Sequence, residues 1–230
     1  MQRRPARYTD RHGSEEIVLE SDGRESIRTT IRGVRFEGSS MDSLGALTGE
    51  PPFDAMFTFL DGDLCACLLE WGLTMPVEVE GQGERVATLH CALRLGNPRT
   101  DTGGLDEEHL TLTLGLDGRE YRTTHPTYDF EDGLHEIALA LPRDTRLKAC
   151  VSCAWSDYHP VGHGLMSQLA CFRDAKDVYR RCDGKHGPHG ILTIWPRLTE
   201  FVQETWLCDQ FEQRTSTWGY RSPFPYRTRS

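Results

Sequence analysis

Three thiols, two imidazoles, a carboxylate and a phenol fall within one short stretch, Cys150-Val-Ser-Cys153-Ala-Trp155-Ser-Asp157-Tyr158-His159-Pro-Val-Gly-His163-Gly-Leu-Met-Ser-Gln-Leu-Ala-Cys171. A CxxC pair grips a metal, closes a redox disulfide, or packs as two small apolar groups. Zinc takes thiolate and imidazole ligands in a tetrahedron, and CxxC supplies two sulfurs at a reach that suits one ion. Positions three apart face opposite sides of a flat strand, so Cys150 and Cys153 converge only where the chain ends, bends or bulges. Cys171 and Cys208 are the favoured remaining ligands, giving a CxxC, seventeen residues, Cys, thirty-six residues, Cys pattern. A rival set is Cys182, His186 and His189, and His159 or His163 could replace one thiol. A redox reading lacks its usual setting, a CxxC opening a helix in a βαβ unit. The expected cofactor is a structural zinc ion.

A second chemistry is open to the same residues. Cys153 or Cys171 could act as nucleophile, with His159 or His163 as base and Asp157 orienting it. Established catalytic signatures are missing: there is no Pro-Cys-x-x-Cys preceded by a spaced His and Glu, no HExxH, no GxSxG, no phosphate-binding GxxxxGK and no dinucleotide glycine fingerprint. The balance leans away from an enzyme.

The elements that must position these groups belong to a chain of 230 residues with 37% hydrophobic and 27% charged residues, an ordinary globular balance. A net charge of −9 argues against nucleic acid or an anionic membrane surface as the main partner, since both require a positive field. The charge is unevenly spread: Arg3, Arg4, Arg7 and Arg11 crowd the start, and Arg214, Arg221, Arg227 and Arg229 the end. Solvated termini account for both, and a contact with a phosphate or an acidic partner is the rarer alternative. The first residues lack the apolar run of a signal peptide, and the most apolar window, Phe53 to Leu73, carries Asp54, Asp61, Asp63 and Glu70, too many acids to cross a bilayer. The expected location is cytoplasmic, where eight cysteines read more readily as buried thiols or ligands than as disulfides.

Short apolar runs punctuated by Asp22-Gly23, Asp61-Gly62 and Asp117-Gly118 predict hairpins, and Leu110, Leu112 and Leu114 alternate with threonines. Cys65 and Cys67 share one strand face and read as core. Ile137 to Leu141 predicts a further strand stopped by Pro142. Beyond Gly164 the texture changes: Phe172 to Cys182 predicts a helix, Ile191 to Trp195 a strand, and Leu198 to Phe211 a second helix or an extended cover. The resulting expectation is a mainly β fold, an antiparallel β-sandwich built from hairpins with a C-terminal α/β cap. It divides into a basic N-terminal arm (1–14), the sandwich (15–158), a cysteine-containing cap packed on it (159–213) and a basic aromatic tail (214–230) that holds Trp218, Tyr220, Phe224 and Tyr226.

The segments Cys150 to Pro160 with Gly162 and Gly164, Cys171 to Lys176 with Tyr179, and Glu200 to Cys208 with Phe211, Arg214, Gly219, Tyr220 and Arg221 resemble an uncharacterised actinobacterial family defined only as a domain of unknown function. The resemblance spans mainly residues 145–222. It implies no activity, but it places Cys150, Cys153, Cys171 and Cys208 inside the motifs and Cys182 outside them. The functional expectation is a zinc-stabilised binding or adaptor protein with a protein partner, by analogy an immunity or biosynthetic-cluster accessory. The alternative is a metal- or cysteine-dependent enzyme acting on a small molecule or peptide, with Asp157, His159 and His163 as its candidate residues.

Overall fold

Period-two alternation of buried and exposed side chains organises the first half of the chain into hairpins. The computed structural model describes residues 1–47, 53–101, 103–215 and 221–225. In chain order the strands are β1 (Gln2–Asp10), β2 (Gly13–Ser21), β3 (Ile27–Ile31), β4 (Val34–Gly38), β5 (Gly45–Ala46), β6 (Thr58–Leu60), β7 (Asp63–Cys65), β8 (Cys67–Val79), β9 (Gly83–Leu95), β10 (Glu108–Leu116), β11 (Arg119–Arg122) and β12 (Thr145–Leu147), with one helical turn, α1 (Phe53–Met56), before β6. They form one antiparallel sheet in the order β11-β10-β9-β8-β1-β2-β3-β4-β5-β7-β6, and β12 adds to β8. The sheet curls on itself. Phe57 meets Tyr8 of β1 at a centroid distance of 6.2 Å and Phe36 of β4 at 5.1 Å, although two strands separate β1 from β4. One apolar core fills the curl, from Ile17 and Leu19 to Leu89, Leu93, Leu110, Leu112 and Leu114.

Three turns are two residues long with positive φ at both positions: Arg32-Gly33, Asp61-Gly62 and Asp117-Gly118. That is the backbone a right-twisted hairpin favours. Asp22-Gly23 does otherwise, since β2 and β3 pair through Ser21 and Ile27. The longer loop is held by Asp22 Oδ1, which accepts from the backbone N–H groups of Arg24, Glu25 and Ser26. Cys65 and Cys67 are both buried, as expected, but Ala66 between them has φ 52° and separates β7 from β8.

The expected strand at Ile137–Leu141 is instead the end of α2 (Phe130–Ala140). Asp129 caps it, its carboxylate accepting from the Glu131 N–H at 2.8 Å. Phe130, Gly133, Leu134, Ile137 and Ala138 form its buried stripe, the three- and four-residue spacing of a helix. Upstream capping and spacing outweigh the strand-like run when the segment folds as a unit.

The C-terminal part adds β13 (Ser156–Asp157), β14 (Gln168–Cys171), α3 (Lys176–Tyr179), α4 (Ile191–Ile194) and β15 (Glu200–Gln203), with β13-β14-β15 as a small antiparallel sheet. The predicted helix at Phe172–Cys182 is a 3-10 turn at Arg173–Ala175 followed by α3, and the predicted strand at Ile191–Trp195 is α4. Trp155, Ala170, Phe172, Tyr179, Cys182, Ile191 and Ile194 make a second, smaller core here.

Both termini depart from the solvated reading. Residues 2–10, placed in a basic arm, are β1 between β2 and β8, because Ala6 and Tyr8 turn inward while Arg3 and Arg7 face out. The tail places Arg214, Arg221 and Phe224 in the interior, where the Glu131 carboxylate supplies a counter-charge. Trp218, Tyr220, Tyr226, Arg227 and Arg229 lie outside the described residues. No helix among the described residues is long and apolar enough to cross a membrane.

Candidate functional site

Cys150 and Cys153 sit on a single 3-10 turn, Cys150–Ser152, closed by the Cys153 N–H donating to the Cys150 carbonyl at 3.0 Å. This is the bend that a shared ion requires of the pair. Cys171 ends β14, paired in register with Ser156, three residues beyond Cys153. The strand that follows, β15, leads to Trp206, whose carbonyl accepts from the Cys150 N–H at 2.7 Å, and so to Cys208. Three separate backbone segments thus carry the four thiols toward one region.

The electrostatics record that approach. Burial pushes the Cys150 thiol up, and ionised sulfur at Cys153, Cys171 or Cys208 would push it further. Burial likewise raises Cys153, with Cys208 adding to it, and Cys171, with Cys153 and Cys208 adding. Backbone N–H groups work against these rises. Trp155 and Glu212 donate to the Cys153 sulfur, Arg173 donates to the Cys171 sulfur, and the Arg173 guanidinium Nη1 lies 3.9 Å from that sulfur. N–H groups two residues beyond a cysteine stabilise its thiolate form by hydrogen bonding. As they stand, no three His, Cys, Asp or Glu side chains among the described residues form a group that could hold a metal ion.

The other cysteines do not join this region. Cys65, Cys67 and Cys91 are buried in the sheet core, with burial raising the first two thiols to about 11 and about 12. Cys182 donates to the Gly184 carbonyl at 3.6 Å, and His186 and His189 are exposed.

The three catalytic candidates are split. Asp157 is buried on β13, accepts from the Tyr179 hydroxyl at 2.9 Å, and is pushed up to about 6 by burial, with Arg221 working against the shift. His159 packs edge-on against Trp195 and shares a cavity with Asp157. His163 turns away, stacking on Tyr158 at 3.8 Å and placing Nε2 3.4 Å from Asp129.

Beside Asp157 lies a buried charged cluster that the sequence reading did not single out. Glu131 accepts from Arg214 through Oε1 and from Arg221 through Oε2. Arg221 Nη1 also donates to the carbonyl and hydroxyl of Ser156 at 3.2 Å, and Nη2 to the Val151 carbonyl at 3.1 Å. Tyr158 donates to Glu204, a fully buried carboxyl held well above the usual range by desolvation. The only sequence signal was the position of Glu204, Arg214 and Arg221 in the segments that carry the family resemblance.

Searches among curated proteins and among solved structures returned no match. A family model does match, over residues 2–156, which takes in the curled sheet, α2 and the CxxC turn and leaves β14, β15 and the rest of the C-terminal part outside it. The match spans well over half of the sequence, and the chain therefore belongs to that family, a family of unknown function designated DUF6304.

Proposed function

We propose that the chain is a zinc-stabilised binding or adaptor protein of the cytoplasm, in which one structural zinc ion held by Cys150, Cys153, Cys171 and Cys208 fastens the C-terminal part to the curled sheet. The observation that supports this reading is geometric: three backbone segments, the 3-10 turn, β14 and the chain after β15, bring these cysteines toward one region, with Cys171 in register with Ser156 and the Trp206 carbonyl bonded to the Cys150 N–H. Thiolates gathered at one point repel one another unless a cation joins them, and a bound zinc ion deprotonates its thiol ligands outright. The N–H donors and Arg173 offset part of the two surplus negative charges that a four-thiolate zinc centre would carry. Raised thiols make poor nucleophiles, which places the cysteine-enzyme alternative second.

Metal analysis of full-length protein purified without a histidine tag tests the reading. The expected result is one zinc per chain, lost together with several degrees of thermal stability on Cys→Ser change at any of the four positions. Cys91→Ala and Cys182→Ala serve as controls that keep the metal. A stably folded, metal-free wild-type protein overturns the proposal.

A further inference from the structure

A cavity of about 230 Å³ opens where the large sheet is interrupted beside β8. β1 pairs with that strand only as far as Ala6 against Trp71, and β12 joins it only from Val77. The β2–β3 loop at Gly23 and the chain at Gln203, Thr205 and Trp206 close the gap from the other side, joined by the Gln203 N–H donating to the Gly23 carbonyl at 2.9 Å. We propose that this cavity binds a small organic monocarboxylate carried on a flat apolar body.

The charge on the walls sets the sign of the ligand. Arg4 is the one charged residue lining the cavity, and among the described residues it forms no ion pair. It lies on the face of β1 that also carries the buried Ala6 and Tyr8, and it is itself half-buried. Its hydrogen bond goes to a neutral group: Nη2 donates to Oε1 of Gln2. Burial pushes the guanidinium down, and what works against that shift is the Cys91 thiol, not a carboxylate. The charges behind Trp206 add to the positive balance. Arg24 lies over the indole at 5.4 Å, and its acid, Glu200, is shared with Arg173. Glu204, the residue after Gln203, is kept protonated by burial and accepts from Tyr158. A half-buried cation without a counter-charge is costly, and a ligand carboxylate removes that cost.

A second observation points to the same ligand. The Ser21 hydroxyl accepts from the Gly23 N–H at 2.9 Å and gives its proton to Oε1 of Gln203 at 2.7 Å, which leaves Nε2 as the free end of that amide. Gln203 is 1% exposed, and its Nε2 has no acceptor. Buried donors normally have one. Arg4 and Gln203 therefore bring donors without acceptors to one cavity, a pattern that an oxyanion completes. The planar guanidinium fork fits the two oxygens of a carboxylate, and one surplus cation balances one negative charge better than the nearly two of a phosphate. Pro76, Trp206 and Leu207 offer flat or apolar surfaces to the rest of the ligand. The volume falls below the roughly 300 Å³ at which drug-sized sites begin, which limits that body to about one ring.

The test is a chemical-shift titration of full-length protein with benzoate, with its neutral isostere benzamide and with inorganic phosphate. The expected result is saturable benzoate binding with a Kd of about 1 mM or tighter, the scale of a small fragment held by one charged contact. Shifts should fall at residues 4, 23, 74 and 203–207, with no saturable binding of benzamide and weaker binding of phosphate. Arg4→Gln should weaken benzoate by about tenfold or more, the loss of a charge-assisted contact, and should still fold because the cation it removes has no acid partner. Absence of saturable benzoate binding, comparable binding of benzamide, tighter binding of phosphate, shifts confined to another region, or unchanged affinity in folded Arg4→Gln overturns the proposal. If Arg4→Gln fails to fold, Gln203→Glu replaces it: this variant keeps the oxygen that receives Ser21 and adds a negative charge to the wall, and unchanged benzoate affinity there is equally decisive. The inference does not rest on the thiol site, and zinc content measured on the same samples keeps the two apart.

Discussion

Arg221 Nη2 lies 2.6 Å from Glu131 Oε2, with the arginine side chain 7% exposed and the glutamate 23%. The other oxygen of the same carboxylate receives Arg214, which is 5% exposed. One helix residue thus pairs with two guanidinium groups from the C-terminal segment, and Arg221 carries the connection on to the backbone of Val151 and Ser156. The segment Cys150–Asp157 is consequently held from the α2 side by charge, whatever holds it from the thiol side.

Removing the shared acid should therefore cost far more than a surface pair. Glu131→Gln leaves two buried cations with Asp157 as their one remaining neighbouring acid, and breaking a buried pair by deleting one partner costs about 3–5 kcal/mol. Urea denaturation at neutral pH measures the loss. A change below about 1 kcal/mol, the range of exposed ion pairs, would show that the cluster is hydrated and contributes little.

Gly23 ties the β2–β3 loop to the C-terminal part through space. Its φ is +78°, and a Cβ placed there would stand 2.5 Å from the Trp206 ring. The Trp206 carbonyl receives the Cys150 N–H, so displacing that indole also disturbs the CxxC turn. Gly23→Ala combines left-handed backbone strain with overpacking and should destabilise by about 1–3 kcal/mol. It should also shift the tryptophan emission. Unchanged emission and stability would mean that the loop and Trp206 do not pack together in solution.

The hairpin rhythm was legible because Asp-Gly turns and period-two leucines are local signals, and local chemistry decides a two-residue turn. Arg32-Gly33 makes the same kind of turn from a residue that carries no turn signal, so it was invisible. The run Ile137–Leu141 reads as a strand in isolation; the information that makes it helical lies upstream, in Asp129 and in the spacing of Phe130, Leu134 and Ile137. The buried tail was illegible for a deeper reason. Arg214 is a surface residue by type, and only Glu131, 83 positions away, makes its burial tolerable. For the candidate site, residue type and the CxxC spacing marked the thiols, while the meeting of Asp157 with Arg221, Glu131 and His159 depends on how β13, α2 and the C-terminal segment come together.

Asp157 gives the fold a pH dependence with a definite sign. Its folded value is about 6 against an ordinary 3.8, the shift arising first from burial and being opposed by Arg221 and by the Tyr179 hydroxyl bond. A carboxyl raised in the folded state makes folding take up a proton. Its favourable contribution is complete below the ordinary value and disappears as the pH rises through about 6. Asp157→Asn keeps an oxygen to accept from Tyr179 but no longer titrates. Glu131 and Glu204 titrate alike in both proteins, so their effects cancel in the difference. The wild type should therefore gain on the variant by about 2–3 kcal/mol as the pH is lowered from about 7 to about 4. Urea midpoints of the two proteins across that interval measure the gain directly. Parallel curves would mean that Asp157 keeps an ordinary carboxylate value in the folded protein, and that its burial beside Tyr179 is fully compensated by Arg221.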